Sequence, residues 1–272
     1  MTLAGNLLIM GIVYSNTHFH TPMYFFLTNL SFLDITYTTV LFPKMLANFF
    51  LESTRISLTE CLLQAYLFFT MVTTESILLT AMAYDRYVAI CFPLHYGAIM
   101  NKTACIRLTA GTWAVGLIDA VPHIIQYSKL SYCESHTINH LFCDVTALMK
   151  LSCSSTHGIE MSNYILGTVI GLVPFALTVT SYVKIITAIL KIQSKDGRRK
   201  AFSTCGSHLT VVILFYGSVC STYMQPKSAY SMKNDKLVSL SYIAVTPLCN
   251  PIIYSLKNTE FKNTLRKTKR NM

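Results

Sequence analysis

The chain has 272 residues, of which 52% are hydrophobic and only 12% are charged, about half the charged fraction of an ordinary soluble domain. With a mean hydropathy of +0.45, this composition excludes water as the solvent for most of the surface and points to a membrane. The formal charge of +10 does not indicate nucleic acid, because the Lys and Arg residues lie between and after long apolar runs and not along one polar face.

A full membrane span needs about 20 mostly apolar residues. The opening run, Met1 to Tyr14, has neither the basic segment nor the small-residue cleavage site of a signal peptide. It reads as a first helix over about 2–15, too short for a full span. Helix 2 is expected over about 23–47, helix 3 over 58–90, helix 4 over 104–125, helix 5 over 160–191, helix 6 over 201–224 and helix 7 over 237–256. Phe261 and Leu265, spaced i, i+4 among basic residues, suggest a short amphipathic helix over about 258–269 on the anionic inner leaflet. The fold class is an all-α membrane protein. It is a single domain over 1–272 with no internal repeat.

Orientation follows from the connections. With the N-terminus outside and seven spans, fifteen Lys and Arg residues fall on the cytoplasmic side and seven outside, the asymmetry expected of a membrane protein placed that way. The longest polar connection, about 126–158, is then extracellular. It holds Cys133, Cys143 and Cys153 out of nine cysteines, in the compartment where disulfides persist.

Ionisable groups inside a membrane helix are costly and are functional candidates by default. Four acids qualify: Asp34, Glu75, Asp85 and Asp119. Asp34 and Glu75 have no Lys or Arg within a helical turn. Each must face the bundle interior, be protonated, or hold a cation with water. A neutral hydrogen-bonded core acid and a polar cluster that changes between two packings both fit. Asp85-Arg86-Tyr87 ends helix 3, where an arginine can fold back onto the adjacent carboxylate or simply snorkel to the interface. Pro247-Leu248-Cys249-Asn250-Pro251-Ile252-Ile253-Tyr254 ends helix 7. Its two prolines free backbone carbonyls, giving a hinge or a static kink. Asn250 can satisfy such a group or reach the Asp34 region.

Together these segments resemble the rhodopsin-like G-protein-coupled receptors, and within them the odorant receptors of the tetrapod-type class. Gly5-Asn6 is similar to the helix 1 mark. His20-Thr21-Pro22-Met23-Tyr24-Phe25-Phe26-Leu27 and Leu30-Ser31-Phe32-Leu33-Asp34 are similar to helix 2. Met82-Ala83-Tyr84-Asp85-Arg86-Tyr87-Val88-Ala89-Ile90-Cys91 and Pro93-Leu94-His95-Tyr96 match the helix 3 signature. Ser181-Tyr182, Lys200-Ala201-Phe202-Ser203-Thr204-Cys205, Ser207-His208-Leu209, Phe215-Tyr216-Gly217 and Tyr254-Ser255-Leu256-Lys257-Asn258 continue the series in order. Cys249 and Lys257 depart from the usual Leu and Arg.

The resemblance implies a seven-transmembrane bundle and a set of roles. Arg86 is the switch that leaves Asp85 and meets the G protein, within the group Asp85, Arg86 and Tyr87, while Tyr182 and Tyr254 hold the active packing. Asp34, Glu75 and Asn250 form a mid-membrane polar cluster. No cofactor is expected beyond a sodium ion near Asp34 and Glu75. Cys61 is implied to pair with Cys143, and Cys133 with Cys153. The ligand pocket is placed in the outer half of the bundle: Phe68, Phe69, Val72 and Thr73 on helix 3, Leu166 and Ile170 on helix 5, Val219, Cys220 and Tyr223 on helix 6, Leu240 and Ile243 on helix 7. Mostly apolar and without an ionisable group, it suits a small neutral organic odorant. Implied partners are that odorant, a stimulatory olfactory-type heterotrimeric G protein that raises cyclic AMP, and the bilayer; nucleic acid is not among them.

One departure is larger. The family begins with a glycosylated tail and a full helix 1, whereas Gly5-Asn6 comes almost at once here, so the tail and half of helix 1 are expected to be missing. The sequons Asn29-Leu30-Ser31 and Asn101-Lys102-Thr103 fall in a helix and on the cytoplasmic side. Two rival readings remain beside a working receptor: a truncated receptor product without function, and a membrane transporter, which would call for inverted repeats. An enzyme is not expected, because no metal-ligand spacing or nucleophile–base arrangement is present.

Overall fold

The computed structural model describes residues 1–51, 55–133, 137–138, 140–223, 241–257, 261 and 264. Its described residues are helical with short connections, apart from one isolated bridge between Tyr132 and Ser152. The longer helices are α1 (Thr2–Ser15), α2 (Pro22–Phe50), α3 (Leu58–Cys91), α4 (Lys102–Ser128), α5 (His157–Leu190), α6 (Lys195–Tyr223) and α7 (Thr246–Lys257), the last preceded by a π-helical turn at Ser241–Val245. Four of them, α2 to α5, are long and apolar enough to cross a membrane. Shorter apolar stretches lie in α1, in α6 over Cys205–Cys220, and over Ile243–Tyr254.

Local chemistry sets the helix ends. Pro22 opens α2, where its missing N–H costs nothing. A reciprocal capping box opens α3: the Glu60 amide donates to Ser57 Oγ at 3.2 Å and the Ser57 amide to Glu60 Oε2 at 2.9 Å. Asn101 caps α4 by accepting from the Ala104 amide at 2.9 Å.

Helix α3 runs through the centre and packs on α2, α4 and α5, while α1 packs on α2 and α7. Its buried residues run from Cys61 at one end to Val88 at the other. The opposite holds on the outside, where α5 leaves Tyr164, Ile165, Val169, Leu172 and Val173 exposed, as expected of a surface that meets lipid.

Two glycines set the closest approaches. At Gly116 on α4, a Cβ would stand 2.2 Å from Thr74 Oγ1 and 2.7 Å from the Thr70 carbonyl of α3. At Gly5 on α1, a Cβ would stand 3.0 Å from the Pro251 Cβ of α7. At Gly116 the two helix backbones meet at a distance only glycine allows, and at Gly5 the contact with the Pro251 ring is tight.

The tail differs in detail from the expectation of an apolar face laid on lipid. Phe261 is buried, its ring 5.9 Å from that of Phe19, because the turn at Thr17–Phe19 offers an aromatic partner inside the protein. The remainder of the expected segment 258–269, apart from Thr264, lies outside the described residues.

Gly116→Ala is expected to push α3 and α4 apart at a cost of about 1–3 kcal/mol, lowering surface delivery and the unfolding temperature in detergent. Gly111→Ala, whose added Cβ would meet nothing within 4 Å, is the control and is expected to behave as the parent. Equal behaviour of the two variants would contradict the close α3–α4 contact.

Candidate functional site

Cys61 marks one end of α3 and Arg86 the other. Three groups of side chains are arranged between them.

The first is the polar cluster at mid-helix. Asn250 Nδ2 donates to both oxygens of Asp34 at 3.1 Å. Asn6 also hydrogen-bonds Asp34, Glu75 lies beside it, and Tyr37 donates to Glu75. All five side chains are buried. Asn6 Nδ2 further reaches the Pro247 carbonyl at 3.4 Å. That carbonyl is the one Pro251 leaves free, since its helical partner would be the missing N–H four residues on. Asn6 of α1 therefore satisfies the carbonyl that Pro251 leaves free, and Asn250 binds Asp34. Four oxygens around this cluster have no partner: Asn6 Oδ1, Ser31 Oγ, Glu75 Oε1 and Asn250 Oδ1.

The second group lies at the Arg86 end. Asp85 Oδ2 accepts from Arg86 Nε at 2.9 Å and also from Nη2. Asp85 Oδ1 accepts from the Tyr96 hydroxyl at 2.7 Å. Burial, and then the Asp85 carboxylate beside it, raise the Tyr96 phenol above its ordinary value, so Tyr96 remains a donor. Asp85 is fully buried and Arg86 nearly so, which favours the folded-back pair over a snorkelling arginine. The Tyr182 hydroxyl meets His208 Nδ1 at 2.5 Å, their rings stacked at 5.8 Å. The Tyr254 hydroxyl is buried without a partner. Tyr87 is half-buried, with the Lys184 ammonium 5.6 Å from its ring.

The third group lies at the Cys61 end. Cys61 is bonded to Cys143 and Cys133 to Cys153, with Cα atoms 5.3 and 5.8 Å apart. These are the pairings the resemblance implies. Of the predicted pocket residues, Phe68, Val72, Val219 and Ile243 share one apolar cluster. Leu166 and Ile170 are half-buried on α5. Two others turn towards α4. Thr73 donates to Asp119 at 2.8 Å, so its one proton is engaged between helices and the hydroxyl is left only as an acceptor. Phe69 stacks on His123, with centroids 4.7 Å apart. Cys220 is exposed, because it sits on the outward side of α6. The Tyr223 side chain and Leu240 lie outside the described residues. A hollow of about 220 Å³ lies between Gly5, Leu8 and Ile9 of α1 and Leu248, Pro251 and Ile252 of α7; it is apolar and shares no lining residue with the predicted pocket.

Asn6, Tyr37, Tyr96 and His208 carry contacts that sequence reasoning did not assign. Asn6, Tyr96 and His208 belong to the motifs that carry the resemblance. Tyr37, one turn beyond Asp34, could have been found from its spacing on the same helical face.

A family model described as olfactory receptor matches residues 1–270. Olfactory receptor 1L4 of Homo sapiens is 46% identical over 267 residues, covering 98% of this chain and 86% of its own length. Olfactory receptor 1G1 of Gorilla gorilla gorilla is 47% identical over 267 residues, covering 98% and 85%. Olfactory receptor 6Y1 of Homo sapiens is 47% identical over 268 residues, covering 98% and 82%.

The Cys61–Cys143 bridge closes a loop of 82 residues, worth on the order of 4 kcal/mol in the chain-entropy picture. Cys61→Ser and Cys143→Ser are each expected to block surface delivery, scored by antibody to an epitope tag. Normal delivery of both would show that the bridge is dispensable.

Proposed function

The chain belongs to the olfactory receptor family, whose members are multi-pass plasma-membrane receptors and not enzymes, and from this we propose that it is a seven-helix odorant receptor signalling through a stimulatory G protein. The N-terminus and the Cys61 end face outside, and the Arg86 end faces the cytoplasm. A small neutral odorant binds among Phe68, Val72, Val219 and Ile243. It binds the active packing more tightly and so shifts the population towards it. Moving a switch from one part in a hundred to ninety-nine takes about 5.5 kcal/mol of differential affinity. α6 then moves outward, Arg86 leaves Asp85, and the G protein engages the opened face and raises cyclic AMP.

The observation that carries this reading is the buried Asp85–Arg86 pair. Breaking a buried pair by removing one partner costs about 3–5 kcal/mol, so the pair opens only if new partners replace the old ones. Tyr254, with its hydroxyl unpartnered, and Tyr182 are the replacements nearest to hand. Tyr96 opposes opening, because it holds the second carboxylate oxygen of Asp85.

A sodium ion belongs to the resting packing in this proposal. Two carboxylates and the unpartnered oxygens of Asn6, Ser31, Glu75 and Asn250 form the oxygen-rich, buried surroundings a hard cation requires. Asp34 and Glu75 would hold it, its single charge offsetting one of the two carboxylates.

Cyclic AMP in cells expressing this chain with an olfactory-type stimulatory α subunit tests the proposal. A panel of volatiles is expected to give a dose-dependent rise absent from untransfected cells, and Arg86→Ala is expected to abolish it at unchanged surface level. Silence of a chain that reaches the surface would contradict the receptor reading. A full response from Arg86→Ala would contradict the switch.

A further inference from the structure

The segment between Cys133 and Cys153 contains a histidine that no role above uses. Both ring nitrogens of His140 are buried and have no hydrogen-bond partner. A neutral imidazole offers one donor and one acceptor, and leaving both unmade in a buried place carries their full desolvation cost. Packing alone does not require those nitrogens, since a phenyl ring would fill the same space without that cost.

The position of this imidazole is fixed by the three residues that follow it. The Leu141 carbonyl accepts from Asn48 Nδ2 at 3.5 Å. Phe142 is buried in the main apolar cluster. The Cys143 amide donates to Gln64 Oε1 at 3.1 Å, and Cys143 is bonded to Cys61. Gln64 is itself held, its Nε2 donating to the Val40 carbonyl at 3.1 Å. The strap is thus tied to α2 and α3, and His140 is held still without a partner of its own. Its ring meets the edge of Phe142 at 4.7 Å, and Phe142 lies 5.5 Å from Phe68. An aromatic path of two contacts therefore joins the unpaired imidazole to the apolar residues assigned to the ligand.

We propose that His140 is the polar recognition group of the odorant site, hydrogen-bonding an oxygen at one end of a ligand whose apolar body lies against Phe68. This rests on the odorant-receptor reading and narrows its ligand class to neutral molecules carrying a hydroxyl or carbonyl oxygen on a hydrocarbon frame. A preordered imidazole adds affinity because no side chain has to be fixed on binding.

The test is the cyclic AMP dose–response of cells expressing the full chain to linear alcohols, aldehydes and ketones and to the hydrocarbons of equal length. His140→Phe keeps the ring against Phe142 and removes both nitrogens, whereas His140→Gln keeps a donor and an acceptor. In His140→Phe the half-maximal concentration for oxygenated ligands is expected to rise about tenfold, the size of one lost hydrogen bond. Responses to the hydrocarbons are expected to stay as in the parent, and His140→Gln to stay within about threefold for every ligand. If His140→Phe does not reach the surface, His140→Leu is read in its place. An unchanged oxygenated response in the nitrogen-free variant, or an equal shift for hydrocarbons, would overturn the assignment and leave the receptor reading standing. Wild-type silence to the whole panel at normal surface level would overturn both.

Discussion

Hydrocarbon offers no hydrogen bonds, and each polar group that the chain carries into a bilayer has to find its partner within the protein. The backbone meets this demand by being helical in every long apolar stretch. Many hydroxyls meet it by bonding back to their own helix, as Thr28 does to the Tyr24 carbonyl at 2.9 Å, Thr38 to Asp34 at 2.8 Å and Thr180 to Ala176 at 2.7 Å. Groups that cannot do so bond across the bundle, and those bonds decide how the helices sit. Asn250 reaches Asp34, Thr73 reaches Asp119, and Ser76 meets Tyr216 at 3.1 Å. The carbonyl that Pro251 leaves free in α7 is satisfied in the same way, by an asparagine 241 positions away in the sequence.

The same demand explains why the unpaired groups matter. Among the described residues, buried polar atoms without partners occur around Asp34 and Glu75, at Tyr254 and at His140, and also at Thr70 and Thr109 on α3 and α4. A packing in which these atoms gained partners would offset the loss of the Asp85–Arg86 contact. Two packings of nearly equal free energy are what a ligand of modest affinity can switch between.

The membrane solvent and the helical character were legible in the sequence, because long apolar runs with few charges permit little else. Asp34, Glu75 and Asn250 stood out for the same reason, as polar residues where hydrocarbon was expected. Their partners were less legible. Asn6 gave no sign that it would bind the carbonyl freed by Pro251, since that contact depends on how α1 crosses α7 at Gly5. The bond that Thr73 makes to Asp119 of α4 was not legible either; helical position alone does not say which neighbour a side chain will choose. His140 was invisible for a different reason. It lies in a connection without periodicity, and its burial comes from the disulfide and the Gln64 contact that hold the strap against α3. Phe261 was read correctly as apolar but not as buried, because Phe19, its partner, belongs to a connection at the other end of the chain.

In the proposed switch, ligand binding moves α6 away from the Arg86 end of α3. The distance between spin labels carried by unnatural amino acids at Ile99 and Arg199 reads this motion directly, both positions being exposed. In the purified receptor in lipid nanodiscs, an odorant that evokes cyclic AMP in cells is expected to add a population at longer distance, and Arg86→Ala is expected to show that population without ligand. A distance distribution unchanged by such an odorant would contradict the account.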